Sequence, residues 1–87
     1  MWFHNEPWLD FNMFQTGHTI DRDNYNSVST DYARTPVKPC LDAEPGYEDH
    51  ANAFNPELGY MDAYDVRKFA YWSVCSGACG HTYGCHP

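Results

Sequence analysis

An α/β fold with parallel strands is what this sequence predicts, and two observations carry the prediction. Short apolar stretches alternate with stretches of helical spacing in the order strand, helix, strand, helix, strand, and that alternation requires parallel strands joined by helical crossovers. The run Val37-Lys38-Pro39-Cys40-Leu41-Asp42-Ala43 then ends abruptly in Glu44-Pro45-Gly46-Tyr47-Glu48-Asp49-His50, a cluster of acid, aromatic and imidazole groups. Ligands collect at the C-terminal tips of strands in parallel sheets and barrels, so Glu44 stands where chemistry is expected. Three strands with two crossovers leave exposed edges and one bare face, and an independent domain rarely ends there.

Each element has its own local reason. Trp2 to Trp8 reads as a loop that delivers the chain into a strand at about residues 9–15, which Thr16-Gly17-His18 interrupts. Asp21 to Asn24 offer N-caps for a helix at about 23–34, with Tyr25, Val28, Tyr32 and Ala33 at the three-and-four spacing of an apolar face. Thr35-Pro36 stops it. In a strand at about 37–43, Val37, Pro39 and Leu41 share one side while Cys40, Asp42 and Glu44 share the other. Asp42 lies deeper than Glu44 and is expected to hold a polar network in the floor of the sheet, because an unpaired buried carboxylate is costly.

The segment from Glu44 to about Met61 has little periodicity and is long enough to be functional. Asp62 or Asp65 can cap a second helix at about 62–76, whose stripe is Val66, Phe69, Ala70, Ser73, Val74 and Gly77. Gly77 and Gly80 suit its C-terminal stop. A third strand is expected at about 81–84.

Composition narrows the function classes. A formal charge of −7 with only five Lys and Arg argues against nucleic acid, whose phosphates need clustered cations. No leader-like segment begins at Met1 and no run of about 18 apolar residues occurs, so no membrane partner is expected. At 87 residues the chain is too short for a whole (β/α)8 barrel, which needs about 200 to 250, while an aromatic share of 17% argues that something is built to be buried. The chain therefore reads as a piece of something larger.

In order along the chain, Phe14-Gln15-Thr16-Gly17-His18, then Thr35-Pro36-Val37-Lys38-Pro39 leading to Glu44-Pro45-Gly46-Tyr47-Glu48-Asp49-His50, then Tyr64-Asp65-Val66-Arg67 with Ala70-Tyr71-Trp72-Ser73, and Gly80-His81-Thr82-Tyr83-Gly84, closely resemble the apiosidase-like glycoside hydrolases. Members are (β/α)8 TIM barrels, often bacterial and exported, some described with a collagen-binding domain. The resemblance implies a partial barrel, the sixth, seventh and start of the eighth βα units, with the N-terminal barrel half outside this chain. It implies a carbohydrate substrate with a plant-type glycosidic bond, no cofactor, a periplasmic or extracellular location, and Glu44 as the nucleophile after strand seven. The acid/base of such enzymes follows strand four and has no counterpart here. Since a retaining glycosidase needs both carboxylates, the isolated chain is expected to be inactive. Ala43 departs from the glycine usual before the Glu-Pro pair, and Cys75, Cys79 and Cys85 depart from small or other residues.

Set against the family role, Glu44 could be a surface acid in an ordinary Glu-Pro-Gly turn, and Glu48 is the rival carboxylate. Gln15 and His18 end the first strand, His50, His81 and Tyr83 belong to the next two strand tips, and Tyr47 could stack on a sugar ring; all carry groups suited to sugar hydroxyls or faces. Trp2, Trp8 and Trp72 read as packing groups. Cys75, Cys79, His81, Cys85 and His86 do not follow a standard zinc spacing, so no metal is assigned and the helical cysteines read as small packing residues. A disulfide framework is not favoured. The alternative of another class is a small acidic metal-binding or carbohydrate-binding module built on the terminal Cys and His residues.

Overall fold

The computed structural model describes residues 2–87, with elements β1 (Asn12–Gln15), α1 (Asn24–Tyr32), β2 (Cys40–Glu44), α2 (Ala63–Cys75) and β3 (Gly80–His81). Two short 3-10 turns, Asn52–Phe54 and Pro56–Leu58, lie in the long loop after β2. The sheet is three-stranded, parallel, in the order β1-β2-β3. Its strands are shorter than the sequence pattern suggests. Val37 and Pro39 are exposed and precede the ladder, and Pro39 has no N–H to contribute to it, although its carbonyl accepts from Asn12 N at 2.8 Å. No helix among the described residues is long and apolar enough to cross a membrane.

Both helices cover one face of the sheet. Asn12, Cys40 and Asp42 are buried on that face, and Phe14 packs there against Val28, Cys40 and Ala78. Burial pushes the Cys40 thiol above its usual range. On the opposite face Met13 and Gln15 are exposed and Leu41 and Ala43 half-buried, so the sheet has one packed and one open side.

The helices end where capping chemistry says they should. Asp62 accepts from the N–H groups of Tyr64 and Asp65, and the Asp65 carboxylate accepts from Asp62 N, a reciprocal capping box. These bonds hold the exposed Asp62 carboxyl below its usual range. At the other end Gly77 adopts φ +112°, Ala78 N donates to Ser73 O and Gly77 N to Val74 O, which is the Schellman closure. A Cβ on Gly77 would also stand 3.0 Å from the Tyr32 ring.

The inward faces keep part of the stripes expected, Val28 in α1 and Val66, Phe69 and Ser73 in α2, and lose the rest. In α1 the buried residues are Asn24, Val28 and Asp31, while Tyr25 and Tyr32 are exposed. In α2 they are Val66, Phe69 and Ser73, while Val74, Cys75 and, just beyond, Cys79 are exposed. All four cysteines are free, and only Cys40 is buried. Trp2 and Trp8 are exposed rather than packed, and Trp72 lies at the surface, edge-on to Tyr25 at 5.0 Å.

The reason the polar residues turn inward is Asp42, which is fully buried. Its carboxyl group accepts from Thr16 Oγ1 at 3.0 Å, Ser73 Oγ at 2.9 Å and Asn24 Nδ2 at 3.2 Å. Asn24 Nδ2 also donates to Phe69 O and Ser73 Oγ. This network ties β1, β2, α1 and α2 together. It lies between sheet and helices, a correction to its expected place in the floor beneath Glu44.

One tight approach fixes the loop that leaves β2. A Cβ on Gly46 would lie 2.6 Å from Met61 Sδ and from Phe69 Cε2, and both side chains are buried. Gly46→Ala is expected to destabilise the fold by about 1–3 kcal/mol through overpacking. A chemical denaturation midpoint equal to that of the parent chain would refute this.

Candidate active site

Strict alternation along β2 would put Glu44 on the helix side with Asp42. The pairing prevents it: Asn12, Met13 and Phe14 face Cys40, Leu41 and Asp42, but Gln15 faces Glu44, so the register slips by one and Ala43 is the extra residue. A bulge of this kind re-aims the following side chain. Glu44 thereby joins Gln15 at the rim of the open face. The sequence expectation that Cys40, Asp42 and Glu44 share a side is corrected by this slip.

The backbone around the slip is held from both sides. Thr16 N and Gly17 N donate to Glu44 O at 3.2 and 3.0 Å. Thr82 N donates to Asp42 O at 3.1 Å, and its hydroxyl donates to Asp42 O and Ala43 O. Thr82 was not singled out by its sequence; as one β-branched residue near a strand end it carries no signal of this role.

The Glu44 carboxylate meets a different group at each oxygen. Gln15 Nε2 donates to Oε2 at 2.6 Å, and His18 Nε2 stands 3.4 Å from Oε1. The Glu44 side chain is 37% exposed and that of His18 only 8%, so a ligand can reach the acid while the imidazole supports it from behind. Two approaches from fixed directions orient the carboxylate and leave it open on one side, a geometry that suits attack on, or hydrogen bonding to, a molecule in the open groove.

Behind Glu44 lies an aromatic stack. His18 is stacked on His50, with centroids 4.2 Å apart and planes at 22°, and is tilted against Tyr47 at 4.7 Å. His50 Nδ1 donates to Ala51 O at 2.7 Å, and His86 stands edge-on to His50 at 5.2 Å. The ring of Phe54, another residue that the sequence reading passed over, is perpendicular to His18 and His50 at 5.6 and 4.7 Å. Burial, then the neighbouring His50, lowers the His18 pKa below its ordinary 6.5, against the opposing pull of Glu44.

The remaining candidates form a second pair and an outlier. Tyr83 Oη donates to Glu48 Oε2 at 2.8 Å, and chiefly that bond pushes the phenol up to about 12. Glu48 is thus engaged with Tyr83, and its N–H donates to Gly84 O. His81 is not brought to this cluster. It pairs in register with Asp42, on the helix-facing side, and neither ring nitrogen has a hydrogen-bond partner. Burial lowers its pKa. Among the described residues no three His, Cys, Asp or Glu side chains are arranged to hold a metal ion.

Stability should fall on acidification. Folding holds His18 and His81 below the 6.5 of an unperturbed imidazole, so the unfolded chain takes up protons first. Their contribution is complete above about pH 6.5 and is lost as pH falls from there through the lower folded values. Thermal melts between about pH 7.5 and pH 5 should show Tm dropping, with a shallower drop in His18→Gln. A Tm that rises over this interval would contradict the assignment.

Comparison with known proteins shows the family. A family model described as "Apiosidase-like, catalytic domain" matches residues 1–87. A glycoside hydrolase family 5 structure from Bacteroides vulgatus superposes with a TM-score of 0.88 and 40% identity over 97% of this chain. A second structure, described as a glycoside hydrolase, gives a TM-score of 0.88 and 42% identity over the same share. The chain spans only 22% and 23% of those two proteins. No curated protein matches it. The chain belongs to the apiosidase-like family, within its catalytic domain.

Proposed function

We propose that this chain supplies the sixth, seventh and beginning of the eighth βα units of a retaining (β/α)8 glycosidase acting on a plant-type glycosidic bond, with Glu44 as nucleophile. The observation that carries the reading is the register slip that turns Glu44 out of the helix-facing row and onto the open face, where Gln15 and His18 hold its two oxygens. The open face is the side that would line the inside of a closed barrel.

In this reaction a Glu44 oxygen forms a bond to the anomeric carbon as the glycosidic C–O bond breaks. The electron pair leaves on the aglycone oxygen, which takes a proton from a second carboxylic acid about 5–5.5 Å away. Water then cleaves the glycosyl ester and frees Glu44. Gln15 and His18 orient the nucleophile, while Tyr47, Glu48, His50 and Tyr83 shape the rim that meets the sugar. His81, beside Asp42 on the other side of the sheet, is left out of the substrate-contacting set. The acid/base comes from a strand outside this segment, so the 87-residue chain alone should turn over no glycoside. Turnover by the isolated chain that disappears in Glu44→Gln would overturn that division of labour.

The direct test is trapping. The longer enzyme containing this segment, treated with a panel of 2-deoxy-2-fluoro glycosides bearing good leaving groups, should accumulate a covalent ester. Peptide mass mapping is expected to place one fluorosugar on Glu44. A label on any other carboxylate would refute the assignment.

A further inference from the structure

We propose that His50 is a positioning residue for the nucleophile: stacked on His18, it holds that imidazole as a neutral ring whose Nε2 proton points at Glu44. The inference rests on the reading of Glu44 as nucleophile and adds a residue that acts on it through another.

Burial fixes the tautomer. His18 and His50 are 7% and 8% exposed, and elements outside this segment can only cover them further. His18 Nε2 faces Glu44 Oε1 at 3.4 Å, while its Nδ1 is buried and meets no hydrogen-bond partner. Which imidazole nitrogen carries the proton follows from the partners that the two nitrogens find, so the proton belongs on Nε2. A second proton on Nδ1 would be a buried donor with nothing to accept it, which is costly. The stack adds to that cost. His50 lies face to face with His18, centroids 4.2 Å apart and planes at 22°, and a charge on either ring disfavours a charge on the other. The titratable groups that face the His18 ring are Glu44 at the end of β2, Tyr47 and His50 in the loop after it, and His86 beyond β3. Glu44 favours the cation, and burial together with His50 outweighs it.

His50 is itself held in place. Its Nδ1 donates to Ala51 O at 2.7 Å, its carbonyl accepts from Met61 N at 3.0 Å, and Asp49 N donates to Met61 O at 2.9 Å. Further along the same loop, Ala53 N donates to His18 O at 2.8 Å and Asn52 Oδ1 accepts from Ile20 N at 3.0 Å. The loop that carries His50 is thus pinned to the backbone that carries His18. Ala53 and Phe54 take left-handed backbone there, at φ +52° and +61°, a strain that persists only where the surroundings enforce it.

The consequence is chemical. A neutral N–H steadies the Glu44 carboxylate without cancelling its charge, so the oxygen stays nucleophilic. An imidazolium would form an ion pair that stabilises the carboxylate before reaction and is lost as the glycosyl ester forms, which raises the barrier. An aliphatic residue at position 50 could fill the space, but it would neither fix the plane of His18 nor oppose a second proton on it.

The test begins with NMR of the longer enzyme carrying isotope-labelled histidine, the His18 signals being assigned by their loss in His18→Gln. At pH 7 His18 should be protonated on Nε2 and bare on Nδ1, and it should titrate below the 6.5 of an unperturbed imidazole. In His50→Ala that titration should move to higher pH, because admitted water and the loss of a like-charged neighbour both favour the cation. On an aryl glycoside for which formation of the glycosyl ester limits turnover, kcat of His50→Ala should fall about 10-fold with KM within about twofold. The acid limb of kcat/KM should move to higher pH along with the His18 titration. His50→Phe, which keeps a flat ring on His18, should restore most of kcat at pH 7. Added to His18→Gln, His50→Ala should change kcat/KM by less than about twofold, since its effect runs through His18. An imidazolium or an Nδ1 proton on His18 in the parent at pH 7 would overturn the proposal, and that measurement needs no variant of His50 to fold. So would a full further loss on adding His50→Ala to His18→Gln, or equal losses of kcat in His50→Ala and His50→Phe. Turnover retained in Glu44→Gln would instead remove the nucleophile assignment beneath the proposal, whereas the His18 tautomer is read without turnover, so the two failures are told apart.

Discussion

Glu44→Gln in the longer enzyme is expected to lower kcat/KM by on the order of 10⁴-fold while leaving the fold intact. Glutamine matches glutamate in shape and can still accept from Gln15 Nε2, which lies 2.6 Å from Oε2 in the parent. What it lacks is an oxygen able to form the glycosyl ester. A carboxylate that merely oriented substrate would cost far less when neutralised, so the size of the loss is itself diagnostic. Glu44→Ala gives a sharper version, because it opens space for a small anion. Azide should then restore turnover and yield a glycosyl azide of inverted configuration, as expected when an external nucleophile takes the place of Glu44 on one face of the sugar. Retention of more than a tenth of the parent rate in Glu44→Gln, with unchanged thermal stability, would rule out the nucleophilic role.

Asp42→Ala should cost about 3 kcal/mol of stability, the largest effect expected for any single position in the core. The substitution removes the common acceptor of Thr16, Ser73 and Asn24, and leaves the buried Thr16 and Ser73 hydroxyls without it, while Asn24 Nδ2 keeps Phe69 O and Ser73 Oγ. Asp42→Asn should be only a little better, since an amide nitrogen among donors cannot be satisfied. The damage should reach the site as well. Thr16 binds Asp42 through its hydroxyl and Glu44 O through its N–H, so loosening it releases one side of the slip that aims Glu44. Denaturant unfolding of the variants should show the midpoint falling with little change in slope. A loss under about 1 kcal/mol would mean that the network is not what holds sheet and helices together.

Much of the architecture is legible in the sequence. The order of strands and helices follows from where the periodicity changes, and Asp62 and Gly77 mark the ends of α2 because N-caps and left-handed stops depend on a few adjacent residues. The prominence of Glu44 was also readable, since a strand that runs into Glu-Pro-Gly announces its own end. Gln15 and His18 were placed beside it for the same local reason, and the structure brings both within reach of its carboxylate. The errors have a common origin. Tyr25 and Tyr32 looked inward by hydrophobicity, yet Asn24 and Asp31 are the buried residues of α1, because what a helix buries depends on the partner it meets, and here that partner includes the carboxyl group of Asp42.

The sequence by itself determined the class of fold, the approximate elements and the family, and it singled out Glu44 as the candidate for chemistry, because propensity, capping and motif are properties of neighbouring residues. Only the tertiary structure decided on which side of the sheet that residue lies. Alternation put Glu44 with Asp42, and pairing with β1 moved it to Gln15 by inserting Ala43 into the ladder. It also decided that His81 stays with Asp42 and that Phe54 stands in a left-handed turn bonded to His18. These outcomes rest on hydrogen bonds between segments far apart in the chain, and the register of such bonds is set by which strands meet rather than by the residues of either strand alone.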